Sequence, residues 1–210
     1  MTSAKPVARR GRPPKVPRER EDTHDALLRC GMEVLSEQGF AATGIDSVLK
    51  RINVPKGSFY HYFNSKEAFG QAVLDRYASR FARKLDLLLL NEADPPLQRI
   101  RNFVEDAKEG MAKYEFRRGC LVGNLGQEIM ALPESFRLTL EHTLIDWQER
   151  LACCLREAAS QGQIDSDSDC DSLAAFFWIG WEGAVLRSKL SRDVRPLEIF
   201  SEGFFAAIGR

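Results

Sequence analysis

The sequence predicts an all-α fold, a three-helix head of helix-turn-helix type followed by a larger helical body. Three observations lead there. Apolar residues recur at helical spacing from about Thr23 to Ile208, and no segment alternates convincingly as a strand would. The stretch Val54-Pro55-Lys56-Gly57-Ser58-Phe59-Tyr60-His61-Tyr62-Phe63 reads as a short helix with proline at its start and donors and aromatic rings along it. Charge is also divided. The net charge is zero, yet residues 1–20 carry seven basic groups against Glu19, a net +6 that leaves −6 for the remainder. A length of 210 residues allows one large or two small domains, and an apolar fraction of 44% supports a real core. The expected division is a basic, disordered arm at 1–20, a head at 21–66 and a body at 67–210.

The arm is rich in Pro, Arg and Gly, which bury little apolar area. Within it Arg9, Arg10 and Arg12 are candidates for a DNA minor groove, where negative potential attracts arginine; a solubilising tail is the plainer reading. The first helix runs from Asp22 or Thr23 to Glu37, with Ala26, Leu27, Cys30, Val34 and Leu35 as its stripe. Gly39 stops it and Phe40 anchors the turn. Thr43 is expected to cap a second helix from Gly44 to Arg51, with Ile45, Val48 and Leu49 inward, and is also a candidate DNA contact. Pro55 suits the first position of a third helix ending near His61. Phe59 and Phe63 plug the small core, leaving Lys56, Gly57, Ser58, Tyr60, His61 and Tyr62 to form a polar face.

Ser65 caps a long fourth helix that continues to about Leu90 through Phe69, Val73, Tyr77, Phe81 and Leu85. Pro95-Pro96 opens a fifth, to about Tyr114. A sixth covers Leu121 to Met130, and a seventh runs from Pro133 to Gln161, where Gly162 ends it. The run Asp165 to Asp169 is a connector and cap. The eighth helix covers Cys170 to Leu190 and the ninth Pro196 to Ile208.

Several function classes are disfavoured. There is no P-loop, dinucleotide fingerprint, nucleophile motif or zinc-protease pattern, so an enzyme is not expected. The five cysteines are odd in number and lack metal-ligand spacing, so neither metal nor cofactor is expected and a cytoplasmic chain with reduced thiols is. No apolar run follows the basic N-terminus as a signal peptide requires, and none is long enough for a membrane span.

The head resembles the DNA-binding domain of the TetR family of bacterial repressors. The likeness rests on Ala26-Leu27, Gly39-Phe40, Thr43, Ile45, Val48, the Val54–Phe63 stretch and Ser65-Lys66-Glu67, and covers about 23–69. Asn53 departs from the small residue often found there. The resemblance implies an all-helical homodimer. It also implies that Lys56, Tyr60 and His61 meet double-stranded DNA and that Lys66 contacts a phosphate. Arg118-Gly119-Cys120-Leu121-Val122-Gly123-Asn124-Leu125-Gly126-Gln127-Glu128 resembles a subgroup that includes regulators answering to reactive electrophiles and to acrylate.

The residues bear separate readings beside that likeness. Lys56, Ser58 and Tyr60 suit phosphates, and Gly57 lets the backbone approach DNA closely. Arg117, Arg118 and a helix start near Cys120 would favour a thiolate, or a carboxylate ligand; a buried structural cysteine is the alternative. Tyr114, Asn124, Trp147, Trp178 and Trp181 are candidates to shape a ligand site, though each tryptophan also reads as simple core. Ala174, Ala175, Gly180, Gly183, Ala184, Phe176, Phe177, Trp181, Phe204 and Phe205 mark the last two helices as the expected dimer contact. The functional expectation is a repressor released from a near-palindromic operator by a small effector, acrylate or a related acid or electrophile. The alternative is a constitutive architectural dimer with no effector.

Overall fold

The computed structural model describes residues 20–209. Arg9, Arg10 and Arg12 therefore lie outside the described residues. Among those described, every regular element is helical: α1 (Arg20–Gln38), α2 (Ile45–Ile52), α3 (Lys56–Tyr62), α4 (Lys66–Leu89), α5 (Pro96–Lys113), α6 (Leu121–Gln127), α7 (Glu134–Ser160), α8 (Cys170–Ser191) and α9 (Arg195–Ile208). A 3₁₀ turn, Ile129–Ala131, follows α6 where a longer helix was expected. Pro133 stands just beyond this stretch, and the residue before a proline is pushed out of helical geometry.

The head closes around an aromatic plug. Phe59 is fully buried, with Phe63 and Phe69 each 5.4 Å or less from a neighbouring ring of the trio. Leu27, Leu35, Val48 and Leu49 complete that small core. Two local expectations shift by one residue. Thr43 does not cap α2. Gly44 takes that position without a side-chain bond, while the buried Thr43 hydroxyl donates to the Gly39 carbonyl at 2.6 Å, which also turns Thr43 away from its expected place among the DNA contacts. Pro55 precedes α3 as its N-cap rather than opening it. Ser65 behaves as expected, its hydroxyl accepting the Ala68 N–H at 3.1 Å.

Helix α4 leaves the head and becomes part of the body, where it packs on α5 and α7; α7 packs on α8, and α8 on α9. Gly70 lets Phe40 and Phe136 close on α4, since an added Cβ would lie 2.4 Å from the Phe40 ring. Arg99 is almost wholly buried yet satisfied. It forks onto Glu157 at 2.7 and 3.1 Å and donates to the Leu89 and Asp94 carbonyls, tying α5 to α7 and to the end of α4. Asp169 caps α8 through the Ser172 N–H. Gly162 ends α7 with φ +70°.

From Leu173 to Leu186 helix α8 is apolar on nearly every side but for Glu182, and its two sides have different fates. Ala174, Phe177, Trp178 and Trp181 face inward, with Phe204 and Phe205 of α9 buried beside them. Gly180 serves the α8–α9 crossing, where Phe200 leaves no room for a Cβ. The outward stripe is Phe176, Ile179, Gly183, Leu186 and Leu190, joined by Ile199 of α9. The expected dimer residues thus need correction. Ala174, Phe177, Trp181, Ala184, Phe204 and Phe205 belong to the chain's own core, and Ile179, Leu186, Leu190 and Ile199 take their place on the surface. No helix among the described residues is long and apolar enough to cross a membrane.

Candidate functional site: a recognition helix and a cleft that touches the head

Helix α3 presents one side to the core and the other to solvent. Phe59 is turned in, while Lys56, Gly57, Tyr60 and His61 are exposed and Ser58 is half-buried. Nothing stands within 4 Å of where a Gly57 Cβ would be, so the backbone there is open to approach. Tyr60 keeps half its surface exposed. Tyr62 instead leans back toward α1, its ring 5.7 Å from His24. Lys56 reaches Asp46 at 3.2 Å, and both groups are well exposed, a pairing that water and salt weaken. Lys66 sits at the start of α4, 3.4 Å from the Ala41 carbonyl and 4.4 Å above the Phe40 ring.

In the body, α4, α5 and α8 and the chain ahead of α6 enclose a cleft of about 380 Å³. Phe81, Phe103, Met111, Trp181 and Val185 give it an apolar wall. Tyr77, Cys120 and Glu182 bring polar atoms to it, and Arg80, Lys84, Tyr114 and Arg118 also line it. Burial pushes the Tyr77 phenol and the Cys120 thiol well above their usual ranges, and it lifts the Glu182 carboxyl to about 7. The neighbouring Glu182 charge raises Cys120 further.

Cys120 is therefore a thiol, and the thiolate expectation is corrected. Its premise was nearby cations, but both arginines are turned elsewhere. Arg117 is exposed and pairs with Glu115 at 3.1 Å, outside the cleft lining. Arg118 donates to Glu37 at 2.8 Å and to Glu33 at 3.1 Å on α1, and lies 4.2 Å from the Tyr114 ring. Although burial opposes it, Arg118 and Arg51 hold the Glu37 carboxyl below its ordinary range. Two non-glycine residues with left-handed backbone, Glu115 (φ 52°) and Phe116 (φ 57°), turn the chain between α5 and this segment.

The tryptophans divide. Trp181 lines the cleft, whereas Trp147 is fully buried and Trp178 donates its indole N–H to the Trp147 carbonyl at 2.9 Å. Those two are core, because α7 and α8 meet across them. Asn124 is a link rather than a wall. Its amide donates to the Ser36 carbonyl at 2.8 Å and accepts from Lys189 at 3.0 Å.

The roles of three residues, Glu128, Glu182 and Tyr77, escaped the sequence reading. Glu128 receives the Phe40 N–H at 3.0 Å and the Ala41 N–H at 2.7 Å, so a body carboxylate holds the α1–α2 turn of the head. Gly39, at φ +81°, has no room for a Cβ because Glu128 Oε1 would be 1.9 Å away. Glu182 and Tyr77 meet beside Cys120. A signal for Glu182 was present, since it is the lone charge in the apolar run from Leu173 to Leu186. Glu128 and Tyr77 carried none, because their roles depend on partners far away in sequence.

Comparisons with known proteins agree with the helical fold. Residues 27–73 match the description "Bacterial regulatory proteins, tetR family", and residues 96–204 match "Tetracyclin repressor-like, C-terminal domain". The chain is 50% identical to the transcriptional regulator AcuR of Cereibacter sphaeroides over 196 residues, 93% of this chain and 89% of that one. It is 31% identical to the transcriptional repressor NemR of Escherichia coli K12, covering 84% and 89% of the two chains. Among solved structures, a regulatory protein TetR from Rhodobacter sphaeroides is 50% identical, with a TM-score of 0.86 over 88% of this chain and 98% of that one.

Proposed function

The chain belongs to the TetR family of bacterial regulatory proteins, DNA-binding transcriptional repressors rather than enzymes, and from that premise we propose a ligand-released operator switch. Two copies pair through the outward stripe of α8 and α9 in the cytoplasm. Their α3 helices enter successive major-groove faces of a near-palindrome, with half-sites about 34–36 Å apart or a multiple of that. A small effector enters the cleft beside Cys120 and favours a head arrangement that no longer matches the operator. The effector class is a small unsaturated acid such as acrylate, or a related electrophile.

One observation carries the switch. Arg118 lines the cleft and bonds to α1, while Asn124 and Glu128, on the same segment, bond to the last turn of α1 and the turn after it. An occupant that shifts the Arg118–Glu128 segment must also break or move these bonds to the head. The test is operator release scored against a panel of small carboxylates, aldehydes and quinones. Cys120→Ser separates the two modes of recognition. Loss of the response to electrophiles, together with a mass increase on wild-type Cys120, supports covalent capture. A mutant still released by acrylate, with no adduct on wild type, leaves reversible binding alone. If the whole panel leaves the complex intact, the effector assignment fails and the constitutive dimer gains.

The α3 face supplies DNA contacts in this reading. Lys56→Ala and Tyr60→Phe are each expected to weaken operator binding by roughly 5- to 50-fold, the scale of one lost charged or hydroxyl contact. Thermal stability should hardly change, because both side chains are exposed. A fall in melting temperature that accounts for the lost binding would move Tyr60 from the DNA face to the core.

A further inference from the structure

We propose that Glu182 is the general base for capture of an uncharged α,β-unsaturated electrophile by Cys120, which rests on the covalent mode of effector recognition. Three side chains from distant parts of the chain converge: Tyr77 of α4, Cys120 ahead of α6 and Glu182 of α8. Glu182 Oε1 is buried with no hydrogen-bond partner. Oε2 lies over Gly123, where an added Cβ would sit 2.0 Å from it and 3.7 Å from the Cys120 Cβ. The missing side chain at Gly123 is what lets the carboxyl reach the thiol.

A carboxyl oxygen buried without a partner is unfavourable unless something else uses it, and the Cys120 thiol is the bonding partner of the carboxyl. No structural cation does. Arg118 is held by Glu33 and Glu37, Arg117 by Glu115, and Lys189 donates to Asn124. The charged and titratable groups around Glu182 are Tyr77 of α4, Cys120 itself, and Lys189 farther along α8, whose ammonium burial disfavours. Arg80 and Lys84 of α4 line the same cleft, and α5 presents only apolar groups to it, among them Phe103, Ala107 and Met111. Near neutral pH the site thus holds a thiol beside a carboxyl that titrates at about 7.

That pair fits proton transfer coupled to addition. The Glu182 carboxylate takes the Sγ proton as Sγ bonds to the β-carbon of the acceptor. The S–H and the C=C π bond break, an S–C bond forms, and the electron pair moves to the carbonyl oxygen as an enolate. Glu182 then returns the proton to the α-carbon, so nothing is needed beyond the acceptor. An uncharged acceptor suits this site because an anionic one would meet the Glu182 charge in low dielectric.

The test follows alkylation of the full-length protein by acrylamide, and separately by acrylate, using peptide mass spectrometry. The exposed Cys153 serves as an internal reference thiol. Wild-type Cys120 should react faster with acrylamide than with acrylate, at a rate that rises through about pH 7 as Glu182 ionises and then levels. Glu182→Gln should slow Cys120 by about 10²-fold or more and remove that rise, leaving Cys153 unchanged. Gly123→Ala keeps the carboxylate but displaces it from the thiol, and should cause a similar loss even if the glutamine variant folds poorly. An adduct that forms in both variants at the wild-type rate and pH profile overturns the role of Glu182 while leaving covalent capture standing. Faster reaction with acrylate than with acrylamide overturns the preference for an uncharged acceptor. Absence of any Cys120 adduct on the wild type overturns covalent capture and the role of Glu182 together.

Discussion

Ile179→Glu is expected to convert the dimer to a monomer and weaken operator binding by about 10²- to 10⁴-fold, the scale on which a second tethered head raises avidity. Ile179 is 74% exposed, and it sits between Phe176 and Gly183 on the outward stripe of α8. Leu190, 72% exposed, and Ile199, 56% exposed, extend the same apolar surface toward α9. A contiguous exposed apolar patch of this kind suits the contact between copies proposed above. Nothing stands within 4 Å of where a Gly183 Cβ would be, which leaves room for a partner helix to approach closely. In a two-fold contact the same residue meets its own copy or a near neighbour, so one substitution places two carboxylates in the interface. Each would lose water on burial, a penalty of several kcal/mol per ion. Sedimentation velocity at micromolar concentration, paired with operator titration, measures both effects. A variant that stays dimeric and binds fully would place the contact on another face.

Glu128→Ala is expected to uncouple the cleft from the head. Ligand-induced changes in affinity usually amount to about 5- to 150-fold, and the variant should retain no more than about twofold. Glu128 is the body's hold on the α1–α2 turn, accepting the Phe40 and Ala41 N–H groups in hydrogen bonds to a charged acceptor. Bonds of that kind contribute about 1.5–3 kcal/mol each. Removing them leaves Arg118 and Asn124 attached to α1, but the turn that leads into α2 and α3 then keeps only the packing of Phe40 on Phe136 and the Lys66 contact with the Ala41 carbonyl. Operator affinity measured with and without effector tests this. A wild-type response in the variant would mean that the signal travels along α4, which runs unbroken from Lys66 to Leu89 and carries Tyr77 and Phe81 into the cleft.

Most of the fold was legible in local sequence because helices begin and end through short-range chemistry. Ser65 and Asp169 cap their helices with their own side chains, Gly162 supplies a left-handed residue, and Pro95-Pro96 separates α4 from α5. The helix periodicity likewise showed that Phe59 must turn inward and that Lys56 and Tyr60 must not. Thr43 was misread because a threonine ahead of a helix can satisfy either the coming N–H groups or the preceding turn. Contact with Gly39 decided in favour of the latter.

The sequence by itself therefore determined the helices, their order, the exposed face of α3 and the family likeness, all of which depend on neighbours a few residues apart. Tertiary structure alone decided matters that depend on charges and surfaces brought together from afar. It turned one side of the largely apolar middle of α8 into the core and the other into an exposed stripe, since periodicity cannot choose between two apolar faces. It drew Arg118 away to Glu33 and Glu37 and set Glu182 beside Cys120, reversing the charge environment suggested by adjacent arginines. The protonation of that thiol follows its spatial neighbours and its burial, because Coulomb interaction and desolvation act through distance and solvent rather than through chain position.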